Sequence, residues 1–474
     1  MNFIMKHWIS VLCIFLWCVV TLIRVFNHFP WYDEVHAWTI AQDLNLIEII
    51  KLMKYEGHTI LWYLCLMPFA KFNIGYPYSM LLINWLFCFV AMLILWFKSP
   101  FNNWIKFFIS FSFPFLGYLP VVARCYSIGI MFLFMLCALY KDRLKHPNWY
   151  ALLLILCANT SVMALIGATI LGAEFLYKLI REKIKNYYVF LILAIGIILV
   201  AIQLLSSSTN GIRTESFFGL SSENIDTLLK YFLFSFNIKH LLVVCALFML
   251  VVYFIVNKIF PKFLLFSFSL QSLIFVFVYS GNFWHYIFYY VYLIVGLWLV
   301  DDTFKKVKLK FIPSFILGVI SIYLVFFPPI GDVHYPIIYS MPYVKLNEII
   351  NKDKHLSKAN IIYMNVNLFP LELLDKNFSN YCYPNVRTLP FYYQKKYCYI
   401  ENNNFHVDFN YNRLNSLYKT NSYFLSSYPI GENTSQDLIV PNESKSGEYI
   451  KLRLYKIFQE DFSIHYFYKI EKNN

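Results

Sequence analysis

The chain has 474 residues, of which 59% are hydrophobic, 20% aromatic and only 14% charged. This composition excludes a single soluble domain and is typical of a protein that crosses a membrane several times. The net charge of +13 comes mainly from lysines and arginines in short loops between apolar runs, so it does not require a nucleic-acid partner.

The first apolar run, Trp8 to Phe26, has the length of a helix that spans a bilayer and lacks a small-residue cleavage site. We therefore expect a retained anchor rather than a cleaved signal peptide. Further apolar runs follow at 77–97, 104–120, 121–140, 148–162, 163–180, 187–206, 240–257, 262–280, 284–300 and 311–328. Together with the anchor they predict an all-α polytopic membrane domain, residues 1–328, with about eleven transmembrane helices.

Basic clusters give the expected topology. The positive-inside rule assigns them to the cytoplasm; they are Lys98/Lys106, Lys141/Arg143/Lys145, Lys178/Arg181/Lys183/Lys185, Lys258/Lys262 and Lys305/Lys306/Lys308/Lys310. An odd number of spans with Lys6 inside then puts the first loop, residues 27–76, and the tail after residue 328 outside. The apolar stretch 60–72 is too short to cross, and we expect a re-entrant or interfacial helix there.

The first outer loop contains an unusual set of polar residues. Asp33, Glu34 and His36 open an amphipathic stretch, Val35 to Met53, whose apolar residues recur at helical spacing. Such a helix is expected to lie along the membrane surface. Helix capping accounts for one of the two acids, but it does not account for His36 or for the later Glu56-Gly57-His58.

Three further residues join these on the predicted outer face. Arg124 lies at a hairpin tip, Arg213 in the loop 207–239, and His285 between Trp284 and Tyr286. Ionisable groups near the membrane are costly unless they face a polar cavity, so their accumulation at one face suggests a site. Two plainer explanations stay open: a polar loop for 207–239, and an aromatic belt around His285.

These residues resemble the GT-C membrane glycosyltransferases, in particular the protein O-mannosyltransferases and the lipid A aminoarabinose transferase. The shared features are Asp33-Glu34 after a first transmembrane helix, a surface helix, and Glu56-Gly57-His58 before an apolar run. The resemblance covers the chain to about residue 180. Two features depart from the family. Thr59 and Ile60 stand where its prolines occur, and the run Arg124-Cys125-Tyr126-Ser127 lacks the Asp that often follows the corresponding Arg in the family.

The resemblance implies an enzyme that moves a sugar from a polyprenyl phosphate or pyrophosphate carrier to an acceptor outside the cytoplasm. It implies Asp33, beside Glu34, as the base that takes the acceptor's proton. Arg124, with Arg213 second, is the expected partner of the departing lipid phosphate. The other residues expected to bind substrate or to orient the acceptor are His36, Glu56, His58 and His285. Localisation in a bacterial inner membrane follows from the same resemblance.

The cofactor is unknown from the sequence. Carboxylates and imidazoles in the first loop are suitable ligands for a divalent cation such as manganese, magnesium or zinc, but no two of them show tight metal-binding spacing. No metal ligand is therefore assigned.

The second region, residues 329–474, predicts a small extracytoplasmic α/β domain. Runs such as "ANIIYMNVN" and "SYFLSS" are typical of strands, and "PLELLDKNF" of a helix or turn. Cys382 and Cys398 lie outside the predicted membrane helices and are candidates for a disulfide in an oxidising compartment.

Two other classes stay open beside the glycosyltransferase. A lipid-linked glycan flippase or transporter would place ionisable groups near mid-membrane in discontinuous helices. A polysaccharide polymerase or ligase would centre on basic residues in a large outer loop. In each case the expected partners are the bilayer, a lipid-linked sugar, and a glycan, lipid or protein acceptor or cargo.

Overall fold

A computed structural model describes residues 2–28, 30, 32–56, 58–204, 225–226, 228, 241–278, 283–304, 311–326, 342–363, 378–380, 398–401, 404–407, 409–426, 437–442, 444, 447–460 and 463–473. The chain divides into two compact units, each discontinuous in sequence. The first contains Met1–His28 and Leu44–Ile338, and the second contains Phe29–Asp43 and Tyr339–Asn474. The predicted division at residues 328/329 stays a prediction, and the grouping of residues 29–43 with the tail was not expected.

The first unit is helical. Its described helices are α1 (Asn2–Phe26), α3 (Leu46–Glu56), α4 (Leu61–Ala70), α5 (Tyr78–Lys98), α6 (Asn103–Phe111), α7 (Tyr126–Leu139), α8 (Pro147–Ala158), α9 (Val162–Arg181), α10 (Tyr187–Leu204), α11 (Leu241–Val256), α12 (Lys262–Phe277), α13 (Phe283–Leu299), α14 (Asp301–Phe304) and α15 (Ile312–Phe326). A π-helix covers Phe113–Tyr118, and a short 3-10 turn follows α7 at Tyr140–Asp142.

Several of these helices are compatible with a membrane. Within the described ranges, four are long and apolar enough to cross one: His7–Phe26, Tyr78–Lys98, Val162–Arg181 and Tyr187–Leu204. Other apolar helices are shorter, at 10–17 residues. The membrane character is therefore supported, while the number of eleven spans stays a prediction.

The region 104–140 does not form the two uninterrupted helices that its apolar pattern predicts. Helix α6 ends at Phe111, the π-helix ends at Tyr118, and α7 begins only at Tyr126. The buried backbone between them finds side-chain partners, as buried carbonyl groups require. The amide of Asn84 donates to the carbonyl oxygens of Leu119 and Val122 at 2.8 and 3.2 Å.

The first loop also differs from the predicted single surface helix. Its helical pattern is divided at residues 44–45 into α2 (Tyr32–Asp43) and α3. Asn45 starts α3 with a reciprocal cap: its Oδ1 accepts from the N–H groups of Ile47 and Glu48, and Glu48 Oε2 accepts from the Asn45 N–H at 2.8 Å. A new helix therefore begins where the apolar periodicity alone continues.

The second unit contains the predicted small sheet. Its described strands are β1 (Asn360–Tyr363), β2 (Phe378–Asn380), β3 (Cys398–Glu401), β4 (Asn404–Val407), β5 (Ser422–Ser426), β6 (Leu438–Pro441), β7 (Tyr449–Glu460) and β8 (Ser463–Asn473). Six form one sheet in the order β2-β1-β5-β8-β7-β6, in which β1 pairs in parallel with β2 and β5. The remaining two, β3 and β4, pair as an antiparallel ribbon. Among the residues of this unit that the structure describes, the helices are α2, α16 (Pro342–Lys352) and α17 (Tyr411–Leu417), with a 3-10 turn at Leu356–Lys358.

Both faces of the six-stranded sheet are covered, because successive residues of a strand point to opposite faces. Leu346 and Ile350 of α16 belong to one core with Tyr423 and Leu425 of β5. The residue between those two, Phe424, belongs to a second core that includes Tyr411 and Leu414 of α17 and Val35 of α2. Helix α2 is thus part of the hydrophobic core of the C-terminal unit.

Candidate functional site

Several helix ends of the first unit meet around His58. The residues that open α7 and α13, Tyr126 and His285, lie beside it. The backbone of His58 forms an isolated β-bridge with Ser161, the residue that caps α9. Groups at helix ends are not committed to helical hydrogen bonds, so this end of the bundle is suited to bind a polar ligand.

The three rings form a compact set. Tyr126 Oη and His285 Nε2 are 3.0 Å apart and share a hydrogen bond. The two imidazoles stack with centroids 6.5 Å apart, and the Tyr126 ring lies 6.0 Å from His58 at 82°. His285 is 6% exposed, so the set is largely sheltered from solvent. The predicted aromatic-belt role of His285 is not needed to explain this position.

Arg124 and Glu56 complete the arrangement. The Arg124 guanidinium carbon lies 5.7 Å from the centre of the Tyr126 ring. Tyr63 of α4 donates a hydrogen bond to Glu56 Oε2 at 3.4 Å and interacts electrostatically with both Glu56 and Arg124. The structure therefore brings together four of the residues that the sequence suggested, and we call the group Glu56, His58, Tyr63, Arg124, Tyr126 and His285 the polar cluster.

The broken segment before α7 holds Arg124. Asn84 binds its backbone from α5, and Ser127 Oγ donates to the carbonyl oxygen of Leu119 at 2.7 Å. Asn84 and Ser127 are both buried. A helix running through residues 119–125 would leave these carbonyls to the helix itself and would aim Arg124 differently.

The other group of predicted site residues lies in the second unit. Asp33, Glu34 and His36 are in the first turns of α2. Glu34 is fully buried and His36 is 8% exposed, whereas Asp33 is partly exposed. Val35 between them is part of the core described above. That Asp33 and Arg124 serve one membrane edge remains a prediction.

Some predicted residues lie outside the described ranges. These are Arg213, Gly57 and Cys382, and the side chain of Cys398 is likewise outside them. Among the described residues, no group of three or more His, Cys, Asp or Glu side chains could hold a metal ion.

Sequence reasoning missed the neutral members of the site. Tyr63 and Tyr126 are two of 38 tyrosines, and nothing in their spacing distinguishes them. Gln203 could have been recognised from the sequence. It is an amide in the last turn of an apolar helix, where a polar side chain is costly without a partner.

In chemical terms, the polar cluster combines a guanidinium, two imidazoles, two phenols and a carboxylate. Guanidinium and imidazolium groups bind phosphate oxygens through charge-assisted hydrogen bonds, while a carboxylate accepts from hydroxyl groups. The arrangement is suited to an anionic ligand that also carries hydroxyls. The helices around it give such a ligand an apolar neighbourhood.

Comparisons with family models, with curated proteins and with solved structures found no match to this chain.

Proposed function

We propose that this chain is a membrane glycosyltransferase that takes a sugar from a polyprenyl phosphate-type lipid and transfers it to an acceptor on the extracytoplasmic side. The observation that supports the proposal is the polar cluster, in which Arg124, His58 and His285 gather at the end of a bundle of apolar helices. A lipid-linked sugar needs this combination, because its tail stays in the bilayer while its phosphate needs donors at the membrane edge.

The charge of the leaving group defines the role of Arg124. As the bond between the anomeric carbon and the phosphate oxygen breaks, that oxygen keeps the electron pair and gains negative charge. A guanidinium binds such an oxyanion through parallel N–H donors. His58 and His285 add imidazole N–H donors next to it.

The incoming hydroxyl requires a base. As its oxygen bonds to the anomeric carbon, its proton passes to a carboxylate. The family resemblance assigns this role to Asp33, which is the partly exposed member of the pair. Glu34 is fully buried, and we assign it to positioning the turn that carries Asp33.

The distribution of charge along the helices supports an outward-facing cluster. Helices α7 and α9 begin at the cluster. Arg143 follows the 3-10 turn at the other end of α7, and Arg181 is the last residue of α9. Helix α12 begins at Lys262 and is linked to the cluster through Gln271, whose Nε2 donates to the carbonyl oxygen of His285 at 3.1 Å. By the positive-inside rule, the basic ends face the cytoplasm and the cluster faces away from it.

The experiment is a comparison of lipid-linked and surface glycans by mass spectrometry, with and without the gene. Loss of the chain should leave a sugar-loaded polyprenyl lipid to accumulate and remove one sugar from an envelope glycan. Complementation with Arg124→Ala should not restore the glycan, whereas Arg181→Ala, which removes the same charge at the opposite end, should restore it. Unchanged glycans and lipids in the deletion strain would reject the proposal.

One observation favours the second candidate, a lipid-linked glycan flippase or transporter. The buried, non-helical backbone before α7 is a discontinuity of the kind that transporters use near their binding sites. The two functions predict different products. A flippase leaves the sugar on its lipid and changes only the leaflet, so a new glycosidic bond in reconstituted vesicles would exclude it.

A further inference from the structure

A hydrogen-bonded network of buried groups fixes the segment that carries His58. Gln203, in the last turn of α10, is 2% exposed. Its Oε1 accepts from the backbone N–H of Ile60 at 2.8 Å, and its Nε2 donates to Asn159 Oδ1 at 2.9 Å. The carbonyl oxygen of Asn159 then accepts from the N–H of Leu61 at 2.9 Å. Residues 58–61 are thereby attached to two other helices, and we call the bonds that Gln203 and Asn159 make to each other and to this segment the latch.

The direction of every bond in this network is determined by a backbone group. The Ile60 N–H can only donate, so the Gln203 atom facing it must be the amide oxygen. Asn159 Nδ2 donates to the carbonyl of Ile155 at 2.9 Å, a group that can only accept, so Asn159 presents its oxygen to Gln203. Each amide therefore has one orientation that satisfies its neighbours.

The segment is held on its other side as well. Thr59 Oγ1 donates to the carbonyl of Ala158 at 3.4 Å, and His58 pairs with Ser161 through the backbone. Thr59 and Ser161 are fully buried. The N–H groups at the start of α4 need protein partners because Ile60 is buried, and this network supplies them. The same bonds attach the backbone next to His58 to α10 and to the end of α8.

We propose that Gln203 is a positioning residue for donor binding: through the backbone of residues 58–61 it holds the His58 ring against Tyr126 and His285. This inference rests on the proposed function for the identity of the ligand, a lipid-borne phosphate. Gln203 does not touch that ligand; it acts through His58. Because the amide holds the backbone and not the ring, its loss displaces His58 while the side chains of the cluster stay intact.

The first test is independent of the ligand. Hydrogen–deuterium exchange of the full chain in nanodiscs should show the amides of Ile60 and Leu61 protected in the wild type and faster in Gln203→Leu. The control is Asn257→Leu. It removes a side-chain bond to the carbonyl of Tyr253 at 2.8 Å, as Gln203→Leu removes one to the carbonyl of Leu199 at 2.9 Å, but it lies just after the end of α11. Equal exchange in wild type and Gln203→Leu would overturn the latch.

The second test is a double-mutant cycle with polyprenyl phosphate as the probe, its affinity measured in the same nanodiscs. Gln203→Leu should weaken binding about tenfold, the factor that corresponds to the loss of one hydrogen bond between the displaced His58 and the phosphate. In a His58→Ala background, the same change should have no further effect, because Gln203 acts through His58. Additive losses would show a general structural role and reject the positioning inference.

The two tests separate the possible failures. If the wild type does not bind polyprenyl phosphate, the proposed donor is wrong and the ligand part of the inference falls with it. Hydrogen exchange still decides whether the latch exists. If exchange changes as expected but the affinity of Gln203→Leu equals that of Asn257→Leu, the latch exists and does not position the donor site, which overturns the inference.

Discussion

Residues of the polar cluster come from distant parts of the chain. Glu56, His58, Arg124 and His285 were singled out because ionisable groups are costly near a membrane, and the structure brings all four together. Tyr63, Tyr126 and Gln203 were not singled out from the sequence, because neutral polar residues are tolerated in many places. Their part in the site depends on contacts with residues far away in the sequence. The sequence separation of Gln203 and Ile60 is 143 residues.

A residue of the second unit gives a pH prediction. His465 of β8 is 3% exposed, and burial lowers its pKa below the ordinary value of 6.5. The unfolded chain therefore takes up a proton at a higher pH than the folded chain does. His465 should therefore not change the free energy of unfolding of this unit above pH 6.5. Below pH 6.5 the free energy of unfolding should fall, by at most about 1.4 kcal/mol per pH unit.

Pulse proteolysis in urea, detected through a tag at the C-terminus, measures this stability in the full chain. The urea midpoint should decrease between pH 7 and pH 5 in the wild type and decrease less in His465→Gln, which does not titrate. An equal decrease of the urea midpoint with pH in both proteins would mean that groups other than His465 cause the acid sensitivity.

At the scale of elements, the first loop explains where pattern reading fails. Apolar residues recur at helical spacing from Val35 to Met53, yet α2 ends at Asp43 and α3 begins at Leu46. The motif that divides them, Asn45-Leu46-Ile47-Glu48, is visible in the sequence as a capping box. The local sequence does not show which part of the chain each of the two helices packs against. Helix α2 belongs to the C-terminal unit, because it packs with residues more than three hundred positions away.

Val35 is the side chain through which α2 contributes to that core, and it is fully buried. Val35→Ala should therefore destabilise the C-terminal unit by about 1–3 kcal/mol, through lost burial and a cavity. Amide exchange of residues 32–43 and of β5 should accelerate together. The matched control is Ile47→Ala on α3, where the side chain is 64% exposed and the change should leave both segments as they are. Faster exchange in α2 without a change in β5 would contradict a shared core.

The contact between α6 and α15 gives a second prediction for the elements. A Cβ placed on Gly318 would lie 2.2 Å from the Trp104 ring, too close for the helices to keep their distance. Gly318→Ala should cost about 1–3 kcal/mol from overpacking. Gly172→Ala is the control, because its nearest neighbour is an atom of Leu154 at 3.8 Å and alanine favours a helix. Thermal unfolding in detergent should show a lower midpoint only for Gly318→Ala, and equal midpoints would contradict the close packing.

For the whole molecule, apolar runs predicted where helices occur more accurately than where they end. The run 187–206 corresponds to α10 and 77–97 to α5, because a long apolar stretch leaves the backbone no alternative to its own hydrogen bonds. The prediction of two uninterrupted helices at 104–120 and 121–140 was wrong, because Asn84 and Ser127 provide the hydrogen bonds that a break requires. Breaks of this kind depend on tertiary contacts and are invisible to periodicity.

The remaining prediction concerns the sidedness of the bundle. Helix α10 runs from the basic loop that contains Lys185 to Gln203 at the polar cluster, and its 18 residues extend about 27 Å at 1.5 Å per residue. Helix α5 runs the other way: it begins just after the exposed turn at Asn73 and ends at Lys98. The two turns should therefore lie on opposite sides of a membrane.

Single cysteines at Asn73 and Lys185, in a chain whose ten native cysteines are replaced, give the measurement. A maleimide that does not cross membranes should label Asn73→Cys in intact spheroplasts and Lys185→Cys only after lysis, because basic loops stay in the cytoplasm. The reverse pattern would keep the bundle and invert its orientation, which would expose the polar cluster to the cytoplasm. That orientation would exclude a lipid-linked sugar donor bound from the extracytoplasmic side. Labelling of both from one side would contradict an odd number of membrane crossings between residues 73 and 185.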